Sequence, residues 1–233
     1  MESGGASPAP FPSEGPNSTR PIKICVFCGS NSGDSPAYMA AARELAQTFH
    51  KHNVSLVYGG GTVGLMGELA RTLVSLSGPS SVHGVIPAPL VKHEQGPNST
   101  EESKGVPEQN IYGRTTIVKD MHTRKSMMAQ EVLAGGQGSG FIALPGGYGT
   151  LEELMEVVTW NQLGIHGRGV VILNVNGYWD GLVSWISNSV SAGFVSEMHK
   201  AILVQAASGE AAVKALKEYE VSEGRFKLSW GNE

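Results

Sequence analysis

The residues best suited to chemistry stand together in Pro145-Gly146-Gly147-Tyr148-Gly149-Thr150-Leu151-Glu152-Glu153. Three glycines lie between an apolar, strand-like run and a helical stretch. Backbone amides and the Thr150 hydroxyl can converge there on an anion. Thr150-x-x-Glu153 also fits a capping box, in which both side chains only satisfy backbone amides. That reading accounts for Thr150 and Glu153 but gives no reason for Gly146, Gly147 and Gly149.

Two other segments carry charge or glycine at comparable places. In Asp120-Met121-His122-Thr123-Arg124-Lys125, Asp120 suits a helix N-cap and the two cations fall in the first turns. A helix dipole disfavours cations there by about 0.3–1 kcal/mol, which a bound anion would offset. Two solvated surface cations are the plain alternative. In Gly59-Gly60-Gly61-Thr62-Val63-Gly64, the pattern Gly-x-Gly-x-x-Gly joins a strand to a helix. It fits close approach to a ligand and, equally, a tight turn with close helix–sheet packing. The acidic residue that a dinucleotide site needs about 20 residues on is missing, as is a Walker lysine.

The elements that must position these residues are short apolar runs alternating with helical stretches. Strands are expected at Ile22–Phe27, Val54–Tyr58, Val82–Ile86, Thr115–Val118, Gly140–Leu144, Val170–Asn174 and Ile202–Gln205. Helices are expected at Pro36–His52, Gly64–Leu76, Met121–Leu133, Thr150–Leu163, Tyr178–Val190 and Glu210–Tyr219. Strand–helix alternation of this length requires crossovers, which gives an α/β fold with a doubly wound, mostly parallel sheet and helices on both faces. Ligands bind such sheets beyond the carboxyl ends of the strands. The three loops above would open on that edge and bring amide donors, two cations and a carboxylate to one cleft. Such a set suits a phosphorylated sugar, with one ionisable group left for chemistry.

Composition narrows the class. The chain has 233 residues, a net charge of −4, 31 glycines and two cysteines. The charge gives no electrostatic case for nucleic acid or acidic lipid, and no apolar run approaches the roughly 20 residues of a spanning helix. No secretory signal is visible, so a cytoplasmic, reducing setting is expected and the Asn-x-Ser/Thr sites at Asn17, Asn53 and Asn98 are read as chance. Residues 1–20, rich in Pro, Gly and Ser, are expected to form a disordered tail. A single domain over 21–220 and a tail at 221–233 are expected, with the polar stretch Gln95–Gly113 as a long loop.

Several residues have plain readings. Cys25 and Cys28 lie three apart in a strand, on opposite faces and too far apart for a disulfide. No His/Cys/Asp cluster has metal-ligand spacing, so no metal and no cofactor is expected. Ser30 faces the same edge, where ligand contact and turn formation both fit. His122 is read as local packing. Tyr178, Trp179, Trp185 and Ile186 are read as helix core or a subunit contact.

PGGYGTLEE, preceded by MHTRK and YGGGTVGLMG and followed by NQLGIH, resembles the Lonely Guy family of cytokinin-activating nucleoside 5′-monophosphate phosphoribohydrolases. The resemblance covers about Lys23 to Phe194. It implies a modified Rossmann fold and hydrolysis of the N-glycosidic bond of N6-modified AMP to free base and ribose 5-phosphate. It implies Arg124 and Glu153 as the catalytic pair and the Gly146–Thr150 loop as holder of the 5′-phosphate. Lys125 and Glu94 (from IPAPLVKHE) join the substrate-binding set, with Thr159 near the site. Tyr148, Leu151 and Glu152 of the same motif complete it, and Gly60 and Ser30 are added from their own places after the second and first strands. A homodimer with the site near its interface is implied as well. Such sequences have also been labelled lysine decarboxylases, but no pyridoxal-anchoring pattern stands here. The Pro-rich tail and the long stretch after Glu94 depart from the family pattern. A broader purine 5′-monophosphate nucleosidase and a non-catalytic nucleotide-binding module remain the alternatives.

Overall fold

The computed structural model describes residues 20–91, 105–226 and 228. The expected N-terminal tail, Glu94, the first part of the 95–113 loop and the end of the C-terminal tail lie outside the described residues. Seven strands form one sheet: β1 Lys23–Phe27, β2 Ser55–Tyr58, β3 Val82–Pro87, β4 Arg114–Val118, β5 Gly140–Ala143, β6 Gly169–Leu173 and β7 Leu203–Ala206. Their order is β4-β3-β2-β1-β5-β6-β7, and every neighbouring pair is parallel. The order runs outward in both directions from β1 and β5, so the chain reverses its winding between them. At such a switch point the flanking loops diverge and leave a crevice at the strands' carboxyl ends.

The helices are α1 Pro36–Lys51, α2 Gly64–Ser77, α3 Gln109–Tyr112, α4 Met121–Leu133, α5 Tyr148–Gln162, α6 Asp180–Ser191, α7 Glu197–Lys200 and α8 Gly209–Lys217. Strand β1 shows how they are held. Ile24 and Val26 pack with residues of α1, α2 and α8, while Cys25 and Phe27 pack with residues of α4 and α5. All four are at most 5% exposed, as period-two alternation demands of a strand covered on both sides. The cysteines divide between these two cores and are both free. Helix starts follow local chemistry. Ser35 Oγ accepts from the Ala37 amide ahead of Pro36, and Asp120 accepts from the Thr123 amide at 2.7 Å. That bond holds the Asp120 carboxyl below its usual pKa. The far end of α4 is tied down by Arg168, whose guanidinium donates to the carbonyls of Leu133, Gly135 and Gly136.

Three expectations need correction. The 105–113 part of the expected loop contains the single helical turn α3, whose Tyr112 carbonyl accepts from the buried Tyr58 hydroxyl. Helix α6 begins at Asp180, because a tight turn over Val175–Gly177, with Asn176 at φ +52°, comes first. That shift takes Tyr178 out of the helix altogether. Helix α5 begins at Tyr148, two residues before the expected start, with Gly147 as its N-cap and no side-chain capping bond.

Candidate active site

A cleft of about 410 Å³ opens at the switch point. Its walls come from the loop after β1, the Pro145–Thr150 loop after β5, Gly59 after β2, and Met121, Arg124 and Glu153 from the two helices beneath.

The start of α5 is laid out as a row of donors. Gly147 O accepts from Leu151 N at 3.1 Å, the first bond of the helix, so the amides of Tyr148, Gly149 and Thr150 precede any intrahelical partner. A Cβ built on Gly147 or Gly149 would meet nothing within 4 Å, so this backbone lies open to a ligand. Gly146 is different: a Cβ there would come within 2.1 Å of Thr150 Oγ1. Thr150 is buried beneath the loop, third residue of the helix rather than its cap.

Glu153 sits one turn further along α5. Its Oε1 lies 3.4 Å from Arg124 Nη1, and both side chains are under 10% exposed. The capping-box reading therefore fails: Glu153 turns toward α4 and a cation, away from its own helix end. The solvated-cation reading fails for Arg124 as well. Its Nε donates to Val85 O at 3.2 Å and its Nη1 rests 3.7 Å from Met121 Sδ. Glycine 59 makes room for it, since a Cβ there would lie 2.1 Å from Arg124 Nη2. A permanently charged guanidinium and a carboxylate thus share the floor of the cleft, each compensating the burial of the other.

The remaining expected residues divide. Ser30 lines the cleft, and Tyr148 stands at its rim, 94% exposed. Lys125 lies outside the cleft lining. Its ammonium pairs with Glu152 and lies 3.0 Å from Glu156 Oε1, both on α5. Burial would lower the Lys125 pKa, but the bonds to Glu152 and Glu156 outweigh it and the pKa is raised. Lys125 and Glu152 together clamp α4 to α5. Gly60, at φ +78°, packs its face on Ile86 and Val85. Leu151 lines a second, apolar groove on the outer side of the glycine loop, with Tyr178, Trp179 and Leu182. Thr159 is exposed and returns its hydroxyl to Met155 O.

Residues that sequence reasoning missed also line the cleft: Cys28, Tyr38, Met121 and Tyr178. Tyr178 follows β6 at the same sheet edge as the other loops, a signal that could have found it. Trp179 is buried as expected for core, whereas Trp185 is 53% exposed. Cys25, behind the cleft, has its thiol pKa raised well above the usual value by burial, with the Glu153 charge adding to it. Among the described residues no group of three or more His, Cys, Asp or Glu could hold a metal ion, and no helix is long and apolar enough to cross a membrane.

The family described as "Possible lysine decarboxylase" matches residues 66–216. The chain is 50% identical over 216 residues to a bifunctional cytokinin biosynthesis protein of Fusarium pseudograminearum, covering 92% of this chain and 44% of that one. The chain thus spans less than half the length of that relative. It is 44% identical over 210 residues to a cytokinin riboside 5′-monophosphate phosphoribohydrolase of Arabidopsis thaliana, LOG7, covering 89% of this chain and 88% of that one. Among solved structures, the molybdenum cofactor carrier protein of Chlamydomonas reinhardtii superposes with a TM-score of 0.58 at 19% identity, covering 85% of this chain and 98% of that one. The molybdenum cofactor binding protein of Rippkaea orientalis gives 0.55 at 19%, over 86% and 98%. These likenesses to solved structures show the fold alone.

Proposed function

The chain belongs to the family of cytokinin riboside 5′-monophosphate phosphoribohydrolases, and from that premise we propose that it hydrolyses the N-glycosidic bond of N6-modified AMP. The products are the free base and ribose 5-phosphate. The observation that carries this reading is the pairing of two features in one cleft: the open amides at the start of α5 and, one turn on, the Arg124–Glu153 pair at 3.4 Å.

The amides of Tyr148, Gly149 and Thr150 donate to the 5′-phosphate, with the helix dipole behind them. The ribose then extends from the glycine loop toward Glu153. Breaking its bond to the purine builds positive charge on C1′ and negative charge on the base. The Glu153 carboxylate stabilises the first charge, or activates the attacking water. Arg124 faces the second, with forked donors and a charge independent of pH. Ser30 contributes to the ligand's surroundings. Lys125 and Glu152 act from behind, holding α4 against α5 so that Arg124 and Glu153 stay at their separation.

A second copy of the chain completes the assembly. Helix α6 packs Leu182 and Val183 against the core, yet none of its residues is fully buried, Trp185 is 53% exposed and the following Phe194 87%. An apolar helix face left open in this way suits a subunit contact. Light scattering is expected to give a dimer and Trp185→Glu to give monomers. A wild-type monomer would refute this part alone.

Product analysis on a panel of nucleoside monophosphates, with the matching nucleosides as controls, tests the whole reading. N6-modified AMP is expected to yield base and ribose 5-phosphate, and the nucleosides little of either. Adenine release from plain AMP at an equal rate would select the broader nucleosidase. Tight AMP binding without ribose 5-phosphate would select a binding module.

A further inference from the structure

Tyr178 touches the loop on which the proposed chemistry depends. It follows β6 through the Val175–Gly177 turn. Its ring packs edge-on against Tyr38, with centroids 5.8 Å apart, and against Trp179 at 5.0 Å. Its hydroxyl donates to Gly146 O.

That bond completes a pattern in the loop. Pro145 O accepts from Gly29 N at 3.0 Å, and Gly147 O accepts from Leu151 N at 3.1 Å. With Gly146 O held by Tyr178, all three successive carbonyls have protein donors. What the loop offers a ligand is N–H alone, which is the condition for binding an anion without repulsion.

The Gly146–Gly147 peptide is where this condition is most easily lost. A trans peptide is planar, so its C=O and N–H point in opposite directions. Glycine on both sides lets the plane turn at little steric cost. A side chain at Gly146 cannot stiffen it, because a Cβ there collides with Thr150 Oγ1. Among the described residues, the group bonded to the Gly146 carbonyl is the Tyr178 hydroxyl. Were the plane to turn, the Gly146 carbonyl would swing to the side that the Gly147 N–H now faces, next to the Tyr148, Gly149 and Thr150 amides that hold the phosphate. We propose that Tyr178 is a positioning residue for phosphate recognition: it fixes the Gly146–Gly147 peptide plane and keeps the loop a donor-only surface. This rests on the reading of the loop as the 5′-phosphate holder.

The test is Tyr178→Phe, which keeps the ring and its packing and removes the hydroxyl. KM for the nucleotide is expected to rise about tenfold, the worth of one hydrogen bond. The inhibition constant of inorganic phosphate should rise in parallel, with kcat within about twofold and inhibition by the free base unchanged. Thermal unfolding near the wild-type midpoint verifies that the variant is folded. Unchanged phosphate inhibition in Tyr178→Phe overturns the proposal, as does a fall in kcat with KM unaltered. A wild-type chain indifferent to phosphate would bring down the functional reading and this proposal together; a phosphate-sensitive wild type with an equally sensitive variant brings down only this one.

Discussion

Two glycine-rich turns of this chain look alike and do opposite things. Gly59-Gly60-Gly61 after β2 and Gly146-Gly147-Tyr148-Gly149 after β5 each join a buried strand to a helix at the same sheet edge. In the first, the leading amides of α2 are already used: Leu65 N and Met66 N both donate to Gly29 O, at 3.1 and 3.3 Å. Gly64, at φ +57°, lies so close to Ser30 that no Cβ would fit. In the second turn the carbonyls are occupied and the leading amides are open. The first turn is a seat for Arg124; the second is a donor surface. What separates them is where their backbone hydrogen bonds go, and glycine count carries no trace of that.

The contrast breaks most readily at Arg124. Arg124→Ala should cut base release by about 10³-fold, the scale of losing a group aimed at developing charge, with the sheet retained by circular dichroism. Base release within a few-fold of wild type would remove Arg124 from the chemistry. Next comes Gly59→Ala, which touches no ligand in this account. It should push the guanidinium aside and lower kcat by about 10²-fold, since a misplacement of this kind costs that much. A KM effect alone would mean that Gly59 belongs to the ligand surface after all. Gly147→Ala is the mirror experiment. Its φ of −92° suits alanine and its Cβ meets nothing in the protein. The fold should be untouched and KM should rise about fivefold, close to one hydrogen bond's usual worth.

Smaller effects lie outside the turns. Lys125→Met removes the clamp between α4 and α5 at a stability cost of about 1 kcal/mol or less, as for partly exposed ion pairs. Nucleotide KM should hold; a large KM increase would return Lys125 to the substrate-binding set. Acid should unfold the chain through two groups. His166, buried with Nε2 donating to Val157 O, has its pKa lowered from 6.5 to about 4 by burial. Its stabilising effect is therefore present above pH 6.5 and lost as pH falls toward 4. Burial opposes ionisation of Glu131, but bonds from His83 and Lys23 prevail and lower its pKa from 4.5 to about 2. Its share is lost between those values. The unfolding midpoint should decline from pH 6.5 downward, and His166→Gln should flatten the upper part of that decline. A midpoint level down to pH 5 contradicts the His166 assignment.

Much of this architecture was legible in the chain because it is written locally. Apolar runs such as Gly140–Ala143 and the Asp120 cap mark strand and helix ends with near-neighbour signals, and parallel alternation follows from them. The glycine-rich turn between β5 and α5 was legible for the same reason. The rest depends on partners far along the chain. Arg124 reads as a surface cation until Gly59 and Val85 are brought over it. Lys125, its neighbour, reads as a second surface cation until Glu152 and Glu156 are brought to its ammonium. Thr150-x-x-Glu153 reads as a cap because nothing local reveals that α5 starts at Tyr148. Tyr178 reads as helical because the turn at Val175–Gly177 carries no apolar period, and its bond to Gly146 joins two separate crossovers.

If the Glu153 carboxylate faces the anomeric carbon of a phosphate-anchored ribose, Glu153→Gln separates binding from bond cleavage. The variant keeps the shape of the side chain and every amide of the glycine loop. Binding of AMP by calorimetry should stay within a few-fold of wild type while base release from the N6-modified nucleotide falls by about 10²–10⁴-fold. Base release near the wild-type rate, with binding intact, would show that Glu153 does no more than balance the charge of Arg124.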